Sequence, residues 1–250
     1  MNDAFPVEPS PQTIDLLFLG NFVHQVVNPL NGIAGTLDNV ASGIYSFEES
    51  KRKVNTVRAQ LEGCISLVRN LAFFSEVSSE TKRLSAPRAD AISVLPQTII
   101  EAAMFYQDAA SSRRIDIELL DRETQYRIKG RPEALRQVFM NLFDNATKYG
   151  DSDTKVTIEP RVQRKNGTLL VEVRNVGIGF TADEARKFFQ LGVRGREAKG
   201  SKALGTGLGL YICRRIMEDF IDGSISVSHN LRMRETTFQI RFPAHTWSTT

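Results

Sequence analysis

The sequence predicts an α+β protein: an N-terminal two-helix hairpin that dimerises into a four-helix bundle, followed by an α/β sandwich with a mixed sheet. Three observations carry this. Residues from Ile14 to Leu71 place apolar side chains at helical spacing on two successive stretches. Arg131 to Gly150 holds Leu135, Val138, Phe139, Leu142, Phe143 and Ala146 at i, i+3, i+4, i+7, i+8 and i+11, one buried stripe on a helix. Beyond it, strand-like segments flank Asn166-Gly167, a hairpin turn signal.

Composition narrows the function classes. The 250 residues are 41% hydrophobic and 24% charged, enough for a real core. The formal net charge is +3 without a basic run of five, so no nucleic-acid partner is expected. Cys64 and Cys213 match neither a disulfide framework nor a metal site, which suits a reducing compartment. No stretch approaches eighteen apolar residues and no signal pattern opens the chain, so no membrane span is expected and the chain reads as cytoplasmic.

In chain order, residues 1–12 carry Pro6, Pro9 and Pro11 and read as a disordered tail. The hairpin spans 13–78. Its first helix follows Ile14, Leu17, Phe18, Phe22, Val26, Leu30, Ile33 and Leu37, and Pro29 should kink it beside His24. The turn falls among Ser42, Gly43 and Ser46. The second helix carries Val54, Leu61 and Val68 at heptad spacing, with Val57, Cys64 and Leu71 on matching positions. Two amphipathic helices cannot bury both seams alone, hence the dimer. A polar linker covers 79–93. Residues 94–250 then predict a helix near Leu95–Ser111 and strands near Arg114–Leu120 and Gln125–Lys129. The striped helix is followed by strands near Lys155–Val162 and Thr168–Arg174. A helix over Leu208–Phe220 and strands near Ser224–Val227 and Thr236–Phe242 complete a mixed sheet with helices on one face.

On the striped helix, Asn141, Asn145, Lys148 and Tyr149 share a polar face: oxygen ligands for a hard cation and donors for phosphate. Val173-Arg174-Asn175-Val176-Gly177-Ile178-Gly179-Phe180 ends a strand, and Gly205-Thr206-Gly207-Leu208-Gly209-Leu210 opens a helix. Glycines let backbone approach phosphates, and a helix N-terminus offers free N–H groups to an anion.

Three such segments in this order resemble the ATP-binding domain of the sensor histidine kinases, within the wider ATPase family of Hsp90, MutL and type II topoisomerases, whose sandwich is called Bergerat-type. NLFDNATKY resembles the N box, NVGIGF the G1 box, GTGLGL the G2 box and Phe188-Phe189 the F box. Phe22-Val23-His24-Gln25-Val26-Val27-Asn28-Pro29-Leu30 resembles the H box. The resemblance implies that His24 takes the γ-phosphoryl group of ATP and that Asn28 positions water for dephosphorylating the regulator. Asn145 would be the Mg²⁺ ligand with Asn141 near it. Lys148 and Tyr149 would reach phosphates, and Arg194 the γ-phosphate. Gly177, Gly179, Phe189, Gly205, Thr206, Gly207, Leu208, Gly209 and Leu210 would line the nucleotide site, with Thr181–Leu204 as a lid.

Three positions depart from the family pattern. Gln25 stands where an acid usually accepts the histidine's proton. Its amide could still orient the ring but is a poorer base. Asn175 stands where an Asp usually accepts from the adenine amino group, and Gly130-Arg131 stands where Gly-Asp is common. His229, His245 and Trp247 read as structural or surface residues. The function implied is a homodimeric two-component kinase that autophosphorylates His24 and passes the phosphoryl group to an aspartate of a response regulator. With 250 residues its input is expected from a separately encoded sensor or regulatory protein. The rival is a histidine phosphotransferase or scaffold with weak or no autokinase activity. An ATP-driven switch of the Hsp90 or MutL kind is opposed by the H box.

Overall fold

The computed structural model describes residues 16–78, 91–195 and 206–249. The chain divides into two compact units between Glu80 and Thr81.

In the first unit, helices α1 (Leu16–Ala41) and α2 (Phe47–Ser78) form a hairpin. The turn lies where Ser42, Gly43 and Ser46 predict it, with Gly43 in the left-handed region at φ +69. The Ser46 and Glu49 side chains and amides cap α2 reciprocally. Pro29 sits inside α1 and has no N–H for the carbonyl of Gln25, yet the helix runs on to Ala41. Phe22, Ile33, Val57, Cys64, Leu67 and Phe74 are buried. The pairing within one chain therefore uses the Val57 and Cys64 positions. Val54, Leu61 and Val68 stay 43–52% exposed, and Val23, Leu30 and Leu37 on α1 40–48%.

The second unit is built on a five-stranded mixed sheet, order β2-β4-β5-β7-β6. Its strands are β2 (Asp116–Leu119), β4 (Lys155–Gln163), β5 (Thr168–Val176), β6 (Ser224–Asn230) and β7 (Glu235–Phe242). β2 and β4 are parallel and the other neighbours antiparallel. Helices α3 (Leu95–Ser112), α4 (Pro132–Tyr149) and α6 (Gly209–Ile216) bear apolar faces matched to the sheet's inward residues. Those residues, Ile158, Leu169, Val171, Val173 and Ile240, are at most 1% exposed. The six stripe residues of α4 are likewise at most 1% exposed, and Gln137, Asn141 and Thr147 are buried beside them. α4 is thus a core helix open along one narrow face, because α3 flanks it on one side and α6 on the other.

Two features differ from the sequence reading. The strand expected at Gln125–Lys129 forms as β3 (Tyr126–Lys129) but leaves the main sheet. It pairs with β1 (Ile92–Val94) and β8 (Trp247–Thr249) in a second, antiparallel sheet. Strands of three residues carry too little alternation to be read from sequence. Trp247 helps fix this sheet, donating from Nε1 to the Gly167 carbonyl at 3.1 Å. The helix expected to reach Phe220 changes to a π turn at Met217–Ile221 and ends at left-handed Asp222. Arg131 holds that turn, its guanidinium 5.3 Å from the centre of the Phe220 ring.

The outward face of the sheet is a charged network. Glu159 and Glu172 face each other directly across β4 and β5. Arg161 pairs with Glu172, and Arg174 with both acids. Burial pushes the Glu172 carboxyl up, but the hydrogen bond from Gln239 and the Arg174 and Arg161 charges outweigh it and leave it below the usual range.

Two outcomes follow from this packing. Leu135→Ala opens a cavity between α4 and the sheet and should destabilise the second unit by about 2–5 kcal/mol in thermal or urea unfolding. Glu172, with its native pKa lowered, stabilises the fold above the ordinary glutamate range, and that contribution is lost as pH falls through the lowered value. The urea midpoint of Glu172→Gln should lie below that of the parent at pH 7 and converge on it in acid.

Candidate nucleotide site

The G1 segment meets the N box at the C-terminal end of α4, and the G2 segment meets the same helix at Asn141. Gly177 in the G1 loop lies so close to α4 that a Cβ there would sit 2.7 Å from the Gly150 Cα and would overlap the Tyr149 carbonyl. The Ile178 amide donates to the Tyr149 carbonyl at 2.9 Å, and the Asp151 amide to Val176 at 2.9 Å. Gly150 and Gly177 form a β-bridge. From the other side, Arg113 at the end of α3 donates to the carbonyls of Thr147 and, at 2.7 Å, Gly150. Arg113 thus satisfies carbonyls that the helix end leaves open. No sequence signal marked this residue.

The G2 segment is described from Thr206 onward, and Gly205 lies outside the described residues, as do Arg196, Lys199 and Lys202. Gly207, at φ +71, packs against the Gly192–Val193 backbone at 2.6–2.8 Å from a notional Cβ. The Leu208 amide donates to Thr206 Oγ1 at 3.2 Å, and Leu208 itself is fully buried. α6 begins at Gly209 with no side-chain cap, so the amides of Gly209 and Leu210 lack intrahelical partners.

The four polar residues of α4 are not equivalent. Asn145 is half-buried, and no hydrogen bond engages its carboxamide among the described residues. Lys148 donates to Asp144 one turn back at 2.6 Å, so a phosphate must share or displace that partner. Tyr149 is half-buried and contributes its carbonyl to the G1 contact. Asn141 differs from the expectation of a second metal ligand. It is 2% exposed, its Oδ1 accepts from Gln137 at 3.3 Å and its Nδ2 donates to the Gly209 carbonyl at 3.1 Å. Its position on the buried side of the helix makes it a brace between α4 and α6. Below it, burial pushes the Cys213 thiol up to about 12, an inert thiol.

These donors suit Mg²⁺ carried in on a nucleotide. Among the described residues no group of three or more His, Cys, Asp or Glu could hold a metal ion. Asn145 offers one open oxygen, and phosphates and water would complete the octahedron that Mg²⁺ requires.

Asn175 lies at the end of β5, 7% exposed, with no hydrogen bond to its carboxamide among the described residues. Its cross-strand partner is Thr236 on β7, a buried residue that sequence reasoning missed, because only the register places it there. The F box follows a short helix α5 (Ala182–Lys187) opened by a Thr181/Glu184 capping box, whose T-x-x-E pattern is local in sequence. Phe189 is buried, and Phe188 meets the Phe180 ring edge-on at 4.8 Å. Arg194 is half-buried just past Gly192. A cavity of about 620 Å³ lies between α5 and β6, lined by Phe180, Phe189 and Arg214 among others, and does not include Asn145, Asn175 or Gly207.

On α1, His24 and Asn28 are exposed one turn apart. Gln25 does not hold the His24 ring. Its Oε1 is buried without a hydrogen-bond partner. Successive helical residues point about 100° apart, so the residue after an exposed histidine is carried towards the hairpin interior.

Comparison with known proteins agrees with this geometry. Residues 130–246 match the family described as histidine kinase-, DNA gyrase B- and HSP90-like ATPases. Sensor protein kinase WalK of Staphylococcus saprophyticus is 26% identical over 202 residues, 80% of this chain and 32% of the relative. Sensor protein GacS of Pseudomonas syringae is 27% identical over 217 residues, 84% of this chain and 23% of the relative. The chain thus spans a third or less of the length of these curated relatives. Among solved structures, the Acinetobacter baumannii histidine kinase AdeS superposes with a TM-score of 0.59 at 19% identity, covering 88% of this chain and 98% of that one. Histidine kinase ThkA, solved with response regulator protein TrrA, gives 0.59 at 21% identity over 91% of this chain and 61% of its own. Among the described residues no helix is long and apolar enough to cross a membrane. Residues 130–246 thus match this ATPase family, and the chain with its helical hairpin has the fold of the solved histidine kinases AdeS and ThkA.

Proposed function

We propose that the chain is a protein-histidine kinase that phosphorylates His24 from Mg-ATP and passes the phosphoryl group to an aspartate of a response regulator. The observation that supports it is the joining of Gly150 to Gly177 and of Asn141 to Gly209, which ties G1 and the uncapped start of α6 to the helix that carries the N box. In that reading Asn145 would hold Mg²⁺, which would supply neutralisation of phosphate charge, and Lys148 and the α6 amides would take phosphate oxygens. A ring nitrogen of His24 attacks the γ-phosphorus; a P–N bond forms, the bond to the ADP oxygen breaks, and the ring proton passes to solvent water. The aspartate carboxylate then takes the phosphoryl group and regenerates the imidazole. Asn28, exposed one turn from His24, would orient water for hydrolysis of the regulator's acyl phosphate.

The phosphotransferase reading has one observation in its favour: Gln25 neither holds the ring nor carries a base. Incubation with γ-labelled ATP and Mg²⁺ separates the two. The kinase reading expects an acid-labile label that is absent from His24→Ala, forms slowly at neutral pH, and forms up to about 10²-fold faster in Gln25→Glu. If neither parent nor Gln25→Glu takes label from ATP while His24 accepts it from a phosphorylated regulator, the phosphotransferase reading replaces it.

The homodimer belongs to the same proposal, supported by the exposed Val54, Leu61 and Val68 seam. Leu61→Asp would place a charge in the bundle interior at a cost of several kcal/mol. Light scattering should give a dimer for the parent and a monomer or misfolded species for Leu61→Asp. A monomeric parent at micromolar concentration would remove this part.

A further inference from the structure

One row of the sheet's inward face is polar. Its neighbours are apolar: Ile158, Val173, Phe238 and Val227 pair across four strands in one row, and Val171, Ile240 and Ile225 in the next. The exception runs Val156, Asn175, Thr236, His229 across β4, β5, β7 and β6. It lies at the end of the sheet where the G1 loop begins. His229 Nδ1 is 3.0 Å from Thr236 Oγ1. The His229 ring fills the space beside Gly179, where a Cβ would be 2.6 Å from Nε2, and its centroid is 5.2 Å from that of Phe180. The Asn175 carboxamide has no hydrogen-bond partner among the described residues.

We infer that this row lets the base site accept guanine as well as adenine, so that GTP is a second phosphoryl donor; this rests on the nucleotide reading above. A carboxylate can only accept hydrogen bonds and therefore selects the amino group of adenine over the O6 of guanine. A carboxamide presents an acceptor or, after a flip, a donor. Asn175 Oδ1 accepts from adenine N6, and Nδ2 donates to guanine O6. The adjacent atom of the base edge inverts in the same way, since N1 is an acceptor in adenine and carries a proton in guanine. The Thr236 hydroxyl matches either state: it donates to adenine N1 or accepts from guanine N1–H. His229 supports both choices. When the threonine hydroxyl donates to the base, the Nδ1–H tautomer donates to its oxygen. When the oxygen accepts from the base, its proton goes to the bare Nδ1 of the other tautomer. Every polar group in the row that reads the base edge is thus ambivalent, and none is the fixed acceptor that purine selection needs. His229 acts through Thr236 as a positioning residue.

The test is calorimetry of the full chain with Mg²⁺ and non-hydrolysable analogues of ATP and GTP. The parent should bind the two with dissociation constants within about tenfold of each other. Asn175→Asp should shift the ratio of the two dissociation constants towards adenine by about ten- to a hundredfold, the effect of one charge-assisted contact. His229→Phe keeps a ring beside Phe180 but removes the acceptor for the threonine proton, so it should penalise guanine more than adenine. A merely structural role would weaken both alike. Adenine binding in the parent with guanine more than a hundredfold weaker overturns the inference and leaves the nucleotide reading standing. Binding of neither analogue overturns both. The parent comparison needs no variant, so misfolding of a substituted chain leaves the test intact.

Discussion

The site depends on a backbone approach that only glycine allows. Where Gly177 meets the last turn of α4, a single methyl group would overlap a carbonyl, so N box and G1 hold their relative position through main-chain atoms alone. The amides that could have been orphaned at a helix end and a strand end satisfy each other: Ile178 with Tyr149, Asp151 with Val176. Arg113 finishes the junction by taking the remaining carbonyls of α4. A side chain acting from this end, Asn145 or Lys148, therefore starts from a fixed base rather than from a loop.

α4 serves two purposes that compete for the same surface. Its apolar stripe is sealed in the core, and the burial extends to Asn141 and Gln137, which spend their amides on each other and on the start of α6. A buried carboxamide must be bonded, and that need overrides its value as a ligand. Asn145, Lys148 and Tyr149, displaced towards the open edge of the helix where the core ends, are half-buried instead.

The two amides that stand in place of acids have opposite surroundings. Gln25 has a buried, unpartnered oxygen in the hairpin, where no hydrogen bond to His24 compensates the loss of a base. Asn175 sits at the end of a polar row, with a hydroxyl directly opposite that can follow its donor or acceptor choice. The same residue type, an amide, is left unpartnered in a helix pair in one unit and set opposite a hydroxyl in the other. The difference is set by what lies next to each amide.

The sequence by itself determined the α+β class, the hairpin and its turn, the α4 stripe and the three glycine-bearing segments. These rest on local rules: periodicity, capping and turn chemistry act over a few residues and leave their marks in the order of residue types. What only the tertiary structure decided has a common cause, namely distance along the chain. Thr236 meets Asn175 through strand register, Arg113 meets Gly150 across a helix pair, and β3 joins a sheet completed by short strands from far apart in sequence. The inward turn of Gln25 and the bracing role of Asn141 belong to the same class. Residue type gave each a plausible ligand or base, but burial against a neighbouring helix determined which of their atoms were left to react.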